Sequence, residues 1–205
     1  MKKILPGGLL AALLWALTAF AAVYQSDFGF RIELPSGWTV VNKTGVKEKP
    51  EFVEAVFEAA EKNRTLLDMP EELYAKLKEK IAGGEVEYYH KTDGPSFSIS
   101  VFQQPGTIPQ SGQAAEETCR TLPGELSKLS KAPVKVYECR LTTLGNAPAL
   151  YMVADAYEPG ERYVEYLVQK APDHLLLFAA ASTKRQDFTK MKTEFDEIMK
   201  SFQAL

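Results

Sequence analysis

The last third of this chain holds three strand-like runs followed by one amphipathic helix. The runs are Ala149 to Tyr157, Arg162 to Lys170 and Leu175 to Thr183, and only short turn segments separate them. Such short, Pro- and Gly-containing links are typical of β-hairpins. The helix repeats its apolar residues in steps of three and four, at Phe188, Met191, Phe195, Ile198 and Phe202. Because a single apolar stripe has to be buried, we expect this helix to pack on the sheet that the three strands form.

Strand and helix patterns also alternate through the first two thirds of the chain. Phe28 to Leu34 alternates apolar and polar residues as a half-buried strand does. After it, the periodicity predicts a short strand at 38–40, helices at 50–60 and 70–82, strands at 85–91 and 96–103, a helix at 115–129 and a strand at 134–142. Pro123 lies inside the third of these helices and predicts a kink or a split there. No internal repeat or linker divides the pattern, so we expect a single α+β domain.

The first 21 residues have the pattern of a signal peptide. Met1 to Lys3 gives a positive start, an apolar run from Leu9 to Leu17 follows, and Ala19-Phe20-Ala21 fits the small-x-small cleavage rule. The alternative is a retained membrane anchor, but the run from Leu9 to Ala22 is shorter than the roughly 20 residues that a spanning helix needs. We therefore expect cleavage after Ala21, a mature domain at 22–205, and a periplasmic or secreted bacterial protein.

The charge balance argues against two classes of partner. The chain has 24 Lys and Arg residues, 27 Asp and Glu residues and a formal net charge of −3, with both signs interspersed. Nucleic-acid-binding and anionic-membrane-binding proteins carry basic blocks or aromatic-basic alternation. This sequence has neither, so we expect no nucleic acid as a partner and membrane contact only through an uncleaved leader.

Three short motifs resemble one known family. They are Phe-x-Ile-x-Leu-Pro-Ser-Gly-Trp at 30–38, Gly-Asn-Ala-Pro-Ala at 145–149 and Ile-Met-Lys-Ser-Phe at 198–202. Helices are predicted between the first two motifs, and a strand meander between the last two. In this arrangement the chain resembles the PsbP/Mog1-like superfamily, and in particular its small exported bacterial members. The resemblance implies an antiparallel sheet flanked by helices. It also implies a non-enzymatic role as an accessory, assembly or binding module.

The two cysteines, Cys119 and Cys139, predict a disulfide bond. An even number of cysteines in an exported protein favours pairing. The bond would close a loop of about 20 residues and contribute roughly 3 kcal/mol if it is unstrained. The alternative is two buried thiols that never meet, since the pattern leaves open which face of its strand Cys139 occupies.

No stretch of the sequence carries a catalytic, metal or cofactor signature. The two histidines, His90 and His174, are isolated and lack the spacing of metal ligands. There is no nucleophile elbow, phosphate-binding loop or dinucleotide fingerprint. Asp155 and Glu165 interrupt apolar strands and could in principle act as an acid or a base. A cross-strand ion pair or a solvent-facing position explains them more simply, so we predict no enzyme, no metal and no cofactor.

Tyrosines on the predicted strands are the candidates for a binding surface. If the helices leave part of one sheet face uncovered, Tyr151, Tyr157 and Tyr163 would line it together with Asp155 and Glu165. The leading hypothesis is therefore a periplasmic accessory module that binds another envelope protein. A carrier of a small apolar ligand is the second hypothesis and would need an enclosed apolar cavity. A hydrolase of unrecognised type is the third and would need polar groups that converge in a cleft.

Overall fold

A computed structural model describes residues 22–62, 71–91, 97–156, 161–182 and 185–205. The predicted signal peptide at 1–21 and the predicted binding residue Tyr157 lie outside these residues. The helices and strands, in chain order, are β1 Ala22–Ser26, β2 Phe30–Leu34, β3 Trp38–Val41, α1 Lys43–Glu48, α2 Pro50–Lys62, α3 Glu71–Gly83, β4 Val86–Lys91, β5 Ser98–Pro105, α4 Gly112–Ser130, β6 Val136–Leu144, β7 Ala147–Asp155, β8 Arg162–Ala171, β9 His174–Ser182, α5 Arg185–Lys200 and β10 Gln203–Ala204.

The strands form two antiparallel sheets. The larger sheet has seven strands in the order β3-β4-β5-β9-β8-β7-β6, and the smaller has three in the order β1-β2-β10. Strands β6 to β9 pair with their neighbours in sequence because short turns connect them. The predicted α+β fold, an antiparallel sheet flanked by helices, is confirmed.

One face of the seven-stranded sheet carries the main core. Helix α5 lies on it, and the small sheet packs beside the helix. The predicted stripe is buried at every position, namely Phe188, Met191, Phe195, Ile198 and Phe202. Phe30 of β2 contacts the rings of Phe178 and Phe202 at centroid distances of 5.0 and 5.5 Å, which joins the two sheets. We call this side of the large sheet the core face.

The opposite face of the large sheet is covered at its two ends. Helices α1 to α3 cover β3 and β4, where Phe57 and Ile81 pack on Tyr88. Helix α4 covers β6 and β7 at the other end, where Leu150 belongs to a smaller apolar cluster. Strands β5, β9 and β8 lie between these two groups of helices.

A disulfide bond attaches α4 to the sheet. Cys119 in α4 and Cys139 in β6 are bonded, with their Cα atoms 5.6 Å apart, as the sequence predicted. Ala115 is the buried residue of this helix, and Leu129, which the periodicity placed on its apolar stripe, is 77% exposed. The helix runs through Pro123 as one continuous element, so the predicted split is wrong and the kink stays a prediction. Because α4 buries so little apolar surface, the disulfide is a principal link between this helix and the rest of the fold.

Candidate binding face of the seven-stranded sheet

The three central strands of the large sheet are buried on one side only. The core-face side chains of β5 and β8 are buried, namely Ile99, Val101, Val164, Tyr166 and Val168. On the other side, the side chains are partly exposed. Those that matter here are Ser98 and Ser100 of β5, Tyr163 and Glu165 of β8, and Ala179 and Ala181 of β9. We call these six residues the open face.

The register of the strands brings the six residues together. Ala179 lies between Ser100 on one side and Glu165 on the other, and Tyr163 lies opposite Ala181. Directly opposite residues in antiparallel strands point to the same side of the sheet. Four of the six side chains are serine or alanine, so they rise little above the backbone. The open face is therefore a shallow depression between the helices at the two ends of the sheet.

Glu165 is the acidic residue of this depression. Its neighbours across the strands are Ala179 and Met152, neither of which can pair with a carboxylate. Within the part of the chain that the structure describes, Glu165 has no hydrogen bond and no ion pair. Burial removes water from the carboxylate without replacing it and raises its pKa to about 7. Near neutral pH this acid is therefore poised between its charged and uncharged forms.

Two buried polar groups border the open face on the side of β4. Tyr88 lies opposite Ser100, and His90 lies opposite Ser98. Both residues are 1% exposed. The Tyr88 hydroxyl has Ser98 of the neighbouring strand within reach, and the His90 Nδ1 has no hydrogen-bond partner among the described residues. Their rings stack at a centroid distance of 6.2 Å. Burial raises the pKa of Tyr88 to about 12 and lowers the pKa of His90, so both are neutral at pH 7.

The predicted binding surface is wrong in one respect, because its residues lie on both sides of the sheet. Tyr151 is opposite Tyr166, and Asp155 is opposite Arg162, all on the core face. Tyr163 and Glu165 lie on the open face instead. Because successive side chains of a strand alternate between faces, the hairpin register decides which residues share a side. Tyr151 is fully buried on the core face and cannot be a contact residue for a partner.

Asp155 has a structural environment of its own at the end of β7. Its carboxylate accepts hydrogen bonds from the Tyr137 hydroxyl at 2.8 Å and from the backbone N–H of Lys135 at 3.1 Å. The guanidinium of Arg162 lies 3.9 Å from the centroid of the Tyr137 ring. These contacts fasten the start of the edge strand β6 to its neighbours. They account for Asp155 without a ligand.

Glu87 of β4 is a buried acid that the sequence analysis did not single out. It is 1% exposed and points to the core face, between the two sheets. Its carboxylate accepts hydrogen bonds from the Tyr89 hydroxyl at 2.7 Å, from the Tyr24 hydroxyl at 3.1 Å and from the backbone N–H of Asp27 at 3.1 Å. Burial raises its pKa. In the sequence, Glu87 is the one acid in the apolar, tyrosine-rich run at 86–89, and this position could have marked it as a buried acid.

A cleft of about 260 Å³ opens beside this buried network. Its lining consists of Asp27, Phe28, Asn42, Lys43, Gly84, Val86, Glu87 and Gln103. Most of these side chains are polar. The cleft therefore does not provide the apolar enclosure that a carrier of an apolar ligand would need.

The described residues offer neither a metal cluster nor a membrane-spanning helix. Among them, no three His, Cys, Asp or Glu side chains are grouped closely enough to hold a metal ion. No helix in the described ranges combines the length and the apolar character that crossing a bilayer requires.

Comparison with known proteins identifies the fold. No protein-family model matches the chain, and no curated protein matches it. The solution structure of cyanobacterial PsbP (CyanoP) from Synechocystis matches with a TM-score of 0.52 at 12% sequence identity, over 97% of this chain and 100% of that chain. A crystal structure from Bacteroides thetaiotaomicron matches with a TM-score of 0.41 at 11% identity, over 91% of this chain and 49% of that one. The chain therefore has the PsbP-like fold that its sequence motifs predicted.

Proposed function

We propose that this protein is a non-enzymatic accessory module that works outside the cytoplasm and binds another envelope protein. The observation that carries the proposal is the open face, where Tyr163 and Glu165 stand on a floor of serine and alanine side chains. Elsewhere on the same side of the sheet, helices cover the strands. Between those helices, the described residues leave this part of the sheet open to solvent, and its tyrosine is of the type that protein interfaces use.

The size of the open face suits a segment of a protein better than a small ligand. Strands β5, β9 and β8 are neighbours, so the face is about 10 Å wide from β5 to β8. That width matches a helix or an extended strand of a partner. Small-molecule sites instead enclose most of the ligand surface. Tyr163 adds an aromatic side chain of the type that anchors protein interfaces.

A hydrolytic function fits the described acids less well. Glu87 and Glu165 both have raised pKa values, which is common among catalytic acids. However, three donors already occupy the carboxylate of Glu87, and its side chain is 1% exposed. The cross-strand neighbours of Glu165 offer neither a nucleophile nor an oxyanion donor.

The disulfide bond and the fold support a location outside the cytoplasm. A bond between Cys119 and Cys139 persists in oxidising compartments and is rare in the cytosol. The PsbP-like fold is typical of extracytoplasmic accessory proteins. Intact-mass measurement of the protein recovered from the cell envelope should give a chain that begins at Ala22 and lacks two hydrogens. A chain that retains the leader, or that carries two free thiols, would contradict this location.

Photo-crosslinking in the native cell tests the binding function. A photoreactive amino acid at Ala179, on the open face, should give a discrete crosslinked product. The same group at Lys128, on the exposed side of α4, is the matched control and should give none. The Ala179→Trp variant, which fills the depression, should abolish capture of the identified protein in a purified binding assay. Equal crosslinking from both positions, or unchanged binding of the Trp variant, would refute the assignment of the open face.

A further inference from the structure

We infer that the partner places a lysine or arginine side chain on Glu165, with the aliphatic part of that side chain lying over Ala179. This inference rests on the proposed function and adds the chemistry of the contact. The partner segment is thereby defined by one cation that meets an acid near the middle of the open face.

The lack of a partner for Glu165 is the first observation behind this inference. Other acids of comparable or greater burial in the described ranges are held by donors from the protein itself, namely Glu87, Asp155, Glu194 and Asp196. Glu194, for example, accepts two contacts of 2.7 Å from the Lys91 ammonium. Glu165 lacks such a contact in the described part of the chain. A half-buried carboxylate without a donor from its own protein is complementary to a cation of a binding partner.

The shape of the open face is the second observation. Alanine and serine occupy the positions between Glu165 and β4, so nothing in that row fills the space next to the carboxylate. A lysine or arginine side chain can lay its methylene groups along such a floor while its charged end meets an acid. Larger residues, as at Met152 on the other side of Glu165, would leave no room for that approach.

The extent of the open face is the third observation, and it favours a peptide segment over a free small cation. The floor from Glu165 across Ala179 to Ser100 spans two strand spacings, about 10 Å. A helix or an extended segment can cover that floor while its cation meets Glu165. A single small amine would cover only the carboxylate.

Selection from a random peptide library tests the inference. The probe is a library of acetylated, amidated decapeptides, presented to the purified disulfide-bonded protein. Retained peptides should be enriched in Lys or Arg at one position, and Glu165→Gln should weaken their binding by tenfold or more. Glu165→Asp, which keeps the charge, should retain part of the affinity. Glu125→Gln, which removes an exposed acid of α4, is the matched control and should bind as the unmodified protein does.

The outcomes separate this inference from the function on which it rests. Retained peptides without a Lys or Arg preference, or equal affinity of the Glu165→Gln variant, would overturn the inference and leave the Ala179 crosslink untouched. The absence of any retained peptide would overturn it as well. Displacement of the peptides by free arginine at a similar concentration would assign the site to small cations and would also overturn it. Loss of the Ala179 crosslink, in contrast, would refute the binding function itself.

Discussion

The sharpest physical prediction concerns Glu165 and the pH dependence of folding. Burial raises its pKa from the ordinary 4.5 to about 7. The folded state therefore binds this proton more tightly than the unfolded state does. The stability that Glu165 contributes is fully present below about pH 4.5 and is lost as the pH rises through 7. Replacing Glu165 with the uncharged Gln should remove this loss.

The magnitude follows from the difference between the two pKa values. A tenfold change in proton affinity corresponds to about 1.4 kcal/mol, which gives an upper bound of about 3 kcal/mol above pH 7. Solvent reaches part of the Glu165 side chain and screens its charge. We therefore expect Glu165→Gln to raise the free energy of unfolding by about 2 kcal/mol at pH 8 and by less than about 1 kcal/mol at pH 5.

Urea unfolding at both pH values measures this difference. The unmodified protein, Glu165→Gln and the control Glu125→Gln should share one m-value, and the control should show no gain that depends on pH. If Glu165→Gln raised the free energy of unfolding equally at pH 5 and pH 8, the charge of Glu165 would not be the cause of the gain. Destabilisation of Glu165→Gln at pH 8 would show that the folded protein already stabilises the charged form, and the reasoning about an unpaired acid would fail.

Three further predictions concern the stability of the fold. Replacing both Cys119 and Cys139 with Ala should cost about 3 kcal/mol in thermal or urea unfolding, and no loss at all would mean that α4 is held by packing alone. Glu87→Ala should cost about 3 kcal/mol, because it leaves one buried and two partly buried donors without their acceptor, and a neutral result in the same assay would contradict the network. Phe195→Ala should cost about 3 to 5 kcal/mol, whereas Leu129→Ala should cost less than about 0.5 kcal/mol, so similar losses would contradict the assigned burial.

The features that the sequence predicted correctly are those encoded over short distances along the chain. The stripe of α5 repeats within single turns, so Phe188 and Phe195 could be assigned to the core without knowledge of any partner. The hairpins of the C-terminal strands were likewise recognisable from their turns. The disulfide followed from the number of cysteines and the expected compartment, although the pattern did not fix the face of Cys139.

The features that the sequence did not reveal depend on pairing between distant segments. A shift of one residue in a hairpin moves every side chain to the other face, and the link at 158–161 does not specify that register. Tyr151 and Tyr163 were therefore assigned to one surface when they belong to two. The network of Glu87 joins it to Tyr24, which lies 63 residues earlier in the sequence. No local periodicity can report a contact of that kind.

The strand order of the large sheet also determines when the fold can close. Strand β5 pairs with β9, so three further strands and helix α4 lie between these two neighbours in the sequence. In the small sheet, β2 pairs with β10, the last strand of the chain. As the chain emerges from its N-terminus, β2 and β5 thus each lack one of their two permanent neighbours until almost the whole polypeptide is available. The meander from β6 to β9, whose contacts are local, can form first and serve as the template on which the earlier strands assemble.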